Sequence, residues 1–248
     1  MPYRFVTEKE DYSALASGQV FYNTPGHPAF PVRLMSEIFQ RCIALRRADG
    51  HPHPVILYDP CCGAAYHLAV LGFLHRPHIH TLIGSDVDAE ILRIARRNLA
   101  LLTPAGLDQR KTELEAIAER FGKESHRLEA IAHLRTHLLD TPISTRLFQA
   151  DATQSQEIAP HLPAHPIDLV FADVPYSQHS VWKLSSAVQD SPNPPLWHLL
   201  DALLPFVSSH TIVSIAADKA QKTTHAGYRR IERFQVGKRQ ILFFKPQI

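Results

Sequence analysis

Short apolar runs alternate with longer segments of helical spacing along most of the chain. "PVILYD" (54–59), "TLIGSD" (81–86), "STRLFQAD" (144–151), "IDLVFAD" (167–173), "HTIVSIAAD" (210–218) and "RQILFFK" (239–245) read as strands. Their apolar residues are nearly continuous rather than alternating, which predicts strands covered on both faces. "AYHLAVLGFLH" and "DAEILRIARRNLALL", between the first strands, carry helical spacing. The alternation predicts an α/β fold: a Rossmann-like, doubly wound, mostly parallel sheet with helices on both sides. The C-terminal "YRRIERFQVGKRQILFFKPQI" predicts two strands joined by a turn at Val236-Gly237-Lys238, an antiparallel hairpin at the sheet edge.

Two regions depart from this rhythm. Residues 1–50 form an N-terminal extension with "NTPGHPAFPVRL" and a helix-like "MSEIFQRCIALRR". Residues 104–140 form a charged, Ala/Leu-rich insert that reads as a helical hairpin, broken at Phe121-Gly122-Lys123 and packed on one edge. Its charges are mixed, which favours a solvated structural elaboration over an RNA-binding arm. All of 1–248 is read as one domain.

Composition changes this picture little. With 248 residues, 45% hydrophobic and 20% charged, the chain is long enough and apolar enough for a large core. A net charge of +2 neither demands nor excludes a nucleic-acid partner, since a local basic patch suffices. Arg4, Lys9, Arg33, Lys183, Lys222, Arg229, Arg230, Lys238 and Arg239 are candidates to meet phosphates. The cysteines Cys42, Cys61 and Cys62 are odd in number, with two adjacent, which argues against a disulfide framework and for a reducing compartment. Neither a signal-peptide core nor a membrane-length apolar run is visible, so the expected location is the cytoplasm. The 16 histidines are scattered and read mostly as surface residues.

The chemistry concentrates where strands end. Five of them close on an aspartate; Asp59, Asp86, Asp151 and Asp173 are the candidates, and Asp218 reads as structural. In open α/β sheets ligands bind outside the carboxyl ends of the strands, at the switch point of strand order. A single aspartate there reads as a loop starter or helix cap; four at one end of a sheet point to a site. The first turn, "DPCCGAAYHL", has Gly63 for a tight turn and small residues beyond it. It is neither GxGxxG nor a phosphate-binding P-loop, which disfavours a nicotinamide-dependent oxidoreductase. Cys61 and Cys62 lack a second pair at zinc spacing and read as small lining residues, so no metal is expected. Asp86 is placed to accept hydrogen bonds from ribose hydroxyls, Asp88 to cap the next helix, and Asp151 to stand where an adenine amino group is read. An acidic lining suits a nucleoside that carries positive charge.

"VFADVPYSQHSVW" (170–182) ends a strand on Asp173, then removes a backbone donor with Pro175 and adds Tyr176. Its structural reading is a helix cap and a core filler. A long segment, "SQHSVWKLSSAVQDSPNPPLWHLL", follows as a candidate substrate lid with Trp182 and Lys183.

"LYDPCCG", "GSDVD", "QADAT" and "FADVPY" resemble the successive motifs of class I methyltransferases that use S-adenosylmethionine. The last resembles the Asp/Asn-Pro-Pro-Tyr motif of nitrogen methyltransferases, with Val174 in place of the first proline. Together with "NTPGHPAFPVRL" and "NL.LLTPAGLDQR", over residues 3–180, they resemble the AviRa family, whose members methylate a guanine of 23S rRNA and confer avilamycin resistance. The resemblance implies S-adenosylmethionine held by Asp59, Cys61, Gly63, Asp86, Val87, Asp151, Ala152 and Asp173. It implies catalysis by Asp173, Pro175 and Tyr176: a carboxylate for base N–H groups, a fixed chain and a stacking ring for a flipped base. It places Tyr22, Phe30 and Arg33 beside the cofactor or base, with 23S rRNA or the large ribosomal subunit as partner and a monomeric enzyme. Ala65 departs from the family pattern, which has a second glycine there; alanine is small enough that cofactor binding is expected to survive. The competing readings are a methyltransferase for DNA adenine or protein glutamine, and a non-catalytic RNA-binding relative.

Overall fold

The computed structural model describes residues 3–8, 10–16, 18–23, 29–121, 125–138, 141–174, 182, 186–221 and 224–248. Seven strands form one sheet: β1 (Val55–Asp59), β2 (Ile79–Asp86), β3 (Ser144–Gln149), β4 (Leu169–Asp173), β5 (Ile212–Asp218), β6 (Tyr228–Val236) and β7 (Arg239–Pro246). Their order is β3-β2-β1-β4-β5-β7-β6. The first five pair in parallel, and β7 and β6 are antiparallel. The expected hairpin turns at Gly237, whose φ of 60° is the left-handed conformation that glycine adopts without strain. The chain winds from β1 towards β3 on one side and from β4 towards β6 on the other, so the switch point lies between β1 and β4.

The helices are α1 (Val32–Ala48), α2 (Tyr66–Leu74), α3 (Ala89–Ala100), α4 (Pro104–Phe121), α5 (Ser125–Thr136), α6 (Ser155–Ile158), α7 (Ser186–Gln189) and α8 (Pro195–Leu203). Strand residues feed two cores by simple alternation. Val55, Leu57, Leu169 and Phe171 pack with α1, α2 and α3. Ile56, Tyr58, Val170 and Ala172 face the other way and pack with Leu196, Leu199, Leu200 and Leu203 of α8. This two-sided burial is why the central strands read as unbroken apolar runs. β3 corrects that expectation: Ser144, Thr145 and Arg146 are exposed, because β3 is an edge strand and its first half is polar.

The insert is the hairpin of α4 and α5. Leu107, Leu114, Ala130, Ile131 and Leu134 enter the first core, and α5 packs on the short turn Ser13–Leu15 of the N-terminal extension. That extension is pinned to α1 by one side chain. Glu37, wholly buried, accepts backbone hydrogen bonds from Arg4, Phe5 and Val6 at 2.7, 2.8 and 3.0 Å and a fourth from Arg41 Nε at 2.7 Å. Burial works against its charge, but the backbone donors outweigh it and hold the carboxyl below its ordinary range. No helix among the described residues is long and apolar enough to cross a membrane.

Candidate active site

Parallel pairing brings Asp59, Asp86 and Asp173 to one edge of the sheet, and Asp151 follows two residues after β3 ends. Their convergence shows at Cys61. Burial pushes its thiol well above the ordinary range, and the charges of Asp59, Asp86, Asp151 and Asp173 push the same way. Cys61 is therefore a neutral lining residue and not a nucleophile. Among the described residues no group of three or more His, Cys, Asp or Glu is arranged to hold a metal.

The loop after β1 is built for close approach to its backbone. Gly63 has φ 51°, and a Cβ placed on it would meet nothing within 4 Å, so open space lies in front of it. Its N–H donates to Asp86 Oδ2 at 2.9 Å, while Asp88 N–H donates to Oδ1 at 3.0 Å. Burial raises the Asp86 pKa, and these two bonds pull against the rise. Asp86 thus ties the first loop to the second before any ligand is present, with Val87 exposed beside it. Asp88 caps α3 through the N–H groups of Glu90 and Ile91. Asp151 spends one oxygen on a local turn, accepting from Thr153 N at 2.9 Å and Thr153 Oγ1 at 2.7 Å, and Ala152 is packed in the second core.

Ala65 stands at φ 52° and is the sole non-glycine residue at positive φ among the described residues. The position demands what glycine gives freely, which accounts for the glycine expected there. Its methyl is wholly buried in the first core, so it does not narrow an accessible pocket.

Asp59 and Asp173 end neighbouring strands at the switch point. Asp59 is fully inaccessible; its Oδ1 accepts from Cys61 N at 3.0 Å, and its Oδ2 lies 2.9 Å from His67 Nε2 in the first turn of α2. The pair is an ion-pair contact with poor hydrogen-bond alignment. The His67 ring also bonds the backbone of Phe171 and packs on its ring at 5.0 Å. Burial opposes an imidazolium, yet the charges of Asp59 and Asp173 and these bonds outweigh it, and the pKa of His67 is raised. Asp173 Oδ1 is buried with no hydrogen-bond partner among the described residues. Burial first of all pushes Asp173 up to about 6; His67 and Arg239 pull it down and Asp59 adds to the rise. Val174 N donates to Ala216 O at 3.1 Å, a bond that the proline it replaces in the motif could not make. Pro175, Tyr176 and Lys183 lie outside the described residues. Trp182 is half-buried against the second core.

The other expected lining residues do structural work nearby. Tyr22 is sandwiched by the Arg97 and Arg110 guanidinium groups, 3.7 and 4.2 Å from its ring centre, and donates its hydroxyl to Glu113 at 2.8 Å. Arg33 clamps the carbonyls of Val6 and Thr7 and lies over the ring of Tyr3. Phe30 is buried edge-on against Phe171, with Arg239 over its other surroundings at 5.3 Å from its ring centre. Sequence reasoning missed His67 and Asn98. His67 is the polar residue in an otherwise apolar α2, and Asn98 falls in register with the buried Ile91 of α3, seven residues earlier. Both signals were present.

The sequence matches the model of the family described as rRNA methyltransferase AviRa over residues 1–239. It is 37% identical over 247 residues to the 23S rRNA (guanine(2535)-N(1))-methyltransferase of Streptomyces viridochromogenes, covering 98% of this chain and 95% of that one. The chain belongs to the AviRa family of rRNA methyltransferases. Two solved structures of AviRa from the same organism share its fold. One, at 1.5 Å, has a TM-score of 0.86 at 36% identity, covering 99% of this chain and 96% of that chain. The other, at 2.4 Å, has a TM-score of 0.84 at 37% identity, covering 98% and 96%.

Proposed function

We propose that this enzyme transfers a methyl group from S-adenosylmethionine to N1 of a guanine in 23S rRNA. The observation that carries the reading is Asp173: a buried carboxylate at the switch point, with one oxygen unpartnered among the described residues. The relative from Streptomyces viridochromogenes, named for guanine N1, supports the choice of atom. By the same family likeness, the modification protects the ribosome from antibiotics of the avilamycin kind.

The residues fit the cofactor. Open space before Gly63 admits a ligand against the backbone, and the four carboxylates around Cys61 suit a positively charged one. Asp59, Cys61, Gly63, Asp86, Val87, Asp151 and Ala152 would hold it, with Asp173 at its edge turned to the base. When bound, S-adenosylmethionine supplies a methyl group on a positively charged sulfur, an electrophile that needs no metal. The protein's part is alignment and proton management. Guanine presents two donors, N1–H and the exocyclic amine, to one carboxylate. Asp173 accepts both and takes the N1 proton as the nitrogen becomes the nucleophile. Pro175 fixes the chain beyond Asp173, and Tyr176 stacks on the extruded base, offsetting part of an unstacking cost of a few kcal/mol.

RNA has room at the same end of the sheet. A groove of about 780 Å³ is lined by Pro194, Pro195 and Trp197 at the start of α8 and by Gln221, Thr224 and His225 after β5. Exposed Arg229 and Arg230 of β6 pair with Lys245 and Phe244 towards the amino end of β5, so they face away from the Asp173 end of the sheet. The direct test is transfer of labelled methyl to 23S rRNA and to intact large subunits, with tRNA, DNA and protein as controls. Label in 1-methylguanine at one 23S rRNA position is the expected result. Label in DNA or protein, or none despite cofactor binding, would overturn the substrate assignment.

A further inference from the structure

The site holds one buried histidine that the transfer chemistry does not call for. His67 lies against Asp59 inside the protein, on the first turn of α2, near enough to Asp173 for their charges to interact. A solvated histidine has no reason to be there, and a packing residue would not sit 2.9 Å from a carboxylate that is itself fully inaccessible. The ring is fixed from three sides: the Asp59 carboxylate at the end of β1, the Phe171 backbone of β4, and the Phe171 ring, itself backed by Phe30. The charged groups that bear on this cluster are Asp59 from β1, Asp173 from β4 and Arg239 from β7. Asp59 and Asp173 end neighbouring strands and repel one another, and burial disfavours Asp173 as an anion. An opposite charge beside Asp59 offsets that repulsion.

We infer that His67, held as an imidazolium against Asp59, is a positioning residue that keeps the Asp173 carboxylate ionised and ready for the proton of the target base. The inference rests on the proposed role of Asp173. His67 touches neither base nor methyl group; it acts through its charge. The same charge offsets that of Asp59, so Asp59 stays in place at the head of the cofactor loop. The directions agree with this division of labour: each carboxylate favours the charged imidazole, and the imidazole lowers the pKa of Asp173 against the effect of burial.

The experiment is the pH dependence of single-turnover methyl transfer to large ribosomal subunits or 23S rRNA, saturating in cofactor, for the wild-type enzyme and His67→Gln. In the wild type the rate falls on the acid side as Asp173 takes a proton, around the value of about 6 to which it is raised. In His67→Gln that acid limb moves to higher pH by about one unit or more, the usual effect of removing an adjacent opposite charge. The variant is then about tenfold slower or worse at pH 6 and recovers towards the wild-type rate at pH 8.5. A uniform loss at every pH, with the limb unmoved, would reduce His67 to a packing residue and overturn the inference. Should His67→Gln not fold, nitrogen NMR of the wild-type imidazole at pH 7 decides instead. Two protonated ring nitrogens support the inference and a neutral tautomer overturns it. The parent reading fails separately: Asp173→Ala with near wild-type turnover would remove Asp173 as the base, whatever His67 does.

Discussion

Asn98 holds Tyr22 by both of its peptide groups. Its Oδ1 accepts from Tyr22 N at 2.8 Å, and its Nδ2 donates to Tyr22 O and to Ala64 O, each at 2.9 Å. One fully buried amide on α3 therefore fastens the N-terminal extension to the loop that carries Gly63. Leucine at 98 would leave three backbone groups without their partner. At about 1–3 kcal/mol for each buried group left unpaired, Asn98→Leu is expected to cost at least ~3 kcal/mol. Urea unfolding of the two proteins checks this, and a loss under 1 kcal/mol would show that water or the backbone replaces the amide.

Ala65→Gly should stabilise the enzyme. Alanine in the left-handed region costs about 1–2 kcal/mol, and the extra freedom of glycine in the unfolded chain returns only ~0.4–1 kcal/mol of that. A net gain of about 0.5–1 kcal/mol in the same unfolding experiment is expected. Cofactor affinity should stay within a few-fold, because the Ala65 methyl is packed in the core. A destabilised glycine variant would mean that the packing of this methyl outweighs the backbone strain.

Asp86 and Asp173 separate binding from chemistry. Asp86→Ala removes the acceptor for Gly63 N and Asp88 N, and with it the partner expected for the ribose. Calorimetric titration should show cofactor affinity at least about tenfold weaker, roughly 1.4 kcal/mol. Asp173→Ala should bind the cofactor within a few-fold of wild type and lose about 10²–10⁴ in turnover, the range for a lost general base. Exchange of these two phenotypes would reverse the roles assigned to the two acids.

Glu37 gives the fold an acid-sensitive anchor. Its folded pKa lies below the ordinary range of a glutamate, so the charged form is what the N-terminal extension needs. A depressed carboxylate stabilises fully above the unfolded pKa and loses that contribution as pH falls through the folded pKa. Glu37→Gln should be clearly less stable than wild type at pH 7, and the gap should close as pH is lowered from about 5 towards 3. Parallel melting curves across that range test the sign. A gap that widens on acidification would contradict it.

Much of the fold is legible because its signals are local. Unbroken apolar runs marked the central strands, and Val236-Gly237-Lys238 marked the closing turn. Four terminal aspartates marked the working edge, since parallel strands carry like positions to like ends. What stayed hidden depends on pairing across the chain. Nothing adjacent to Glu37 shows that residues 4–6 return to it, and nothing near Tyr22 shows that Arg97, Arg110 and Glu113 enclose it. The family resemblance points to Tyr22 and Arg33 as lining residues; the structure adds the partners that hold them, which the sequence does not show. His67 carries a local mark as the imidazole in the apolar α2, but its packing on Phe171 of β4, far along the chain, is visible only in the fold.

The two outer strands of the sheet have a consequence for how the protein behaves in company. β3 shows solvent a run of Ser144, Thr145 and Arg146, and β6 shows Arg229 and Arg230. Exposed strands with free backbone groups invite other chains to add on, and charged side chains along them discourage it. Each rim thus resists growth into strand-linked polymers while the polypeptide is newly made, crowded or concentrated for study.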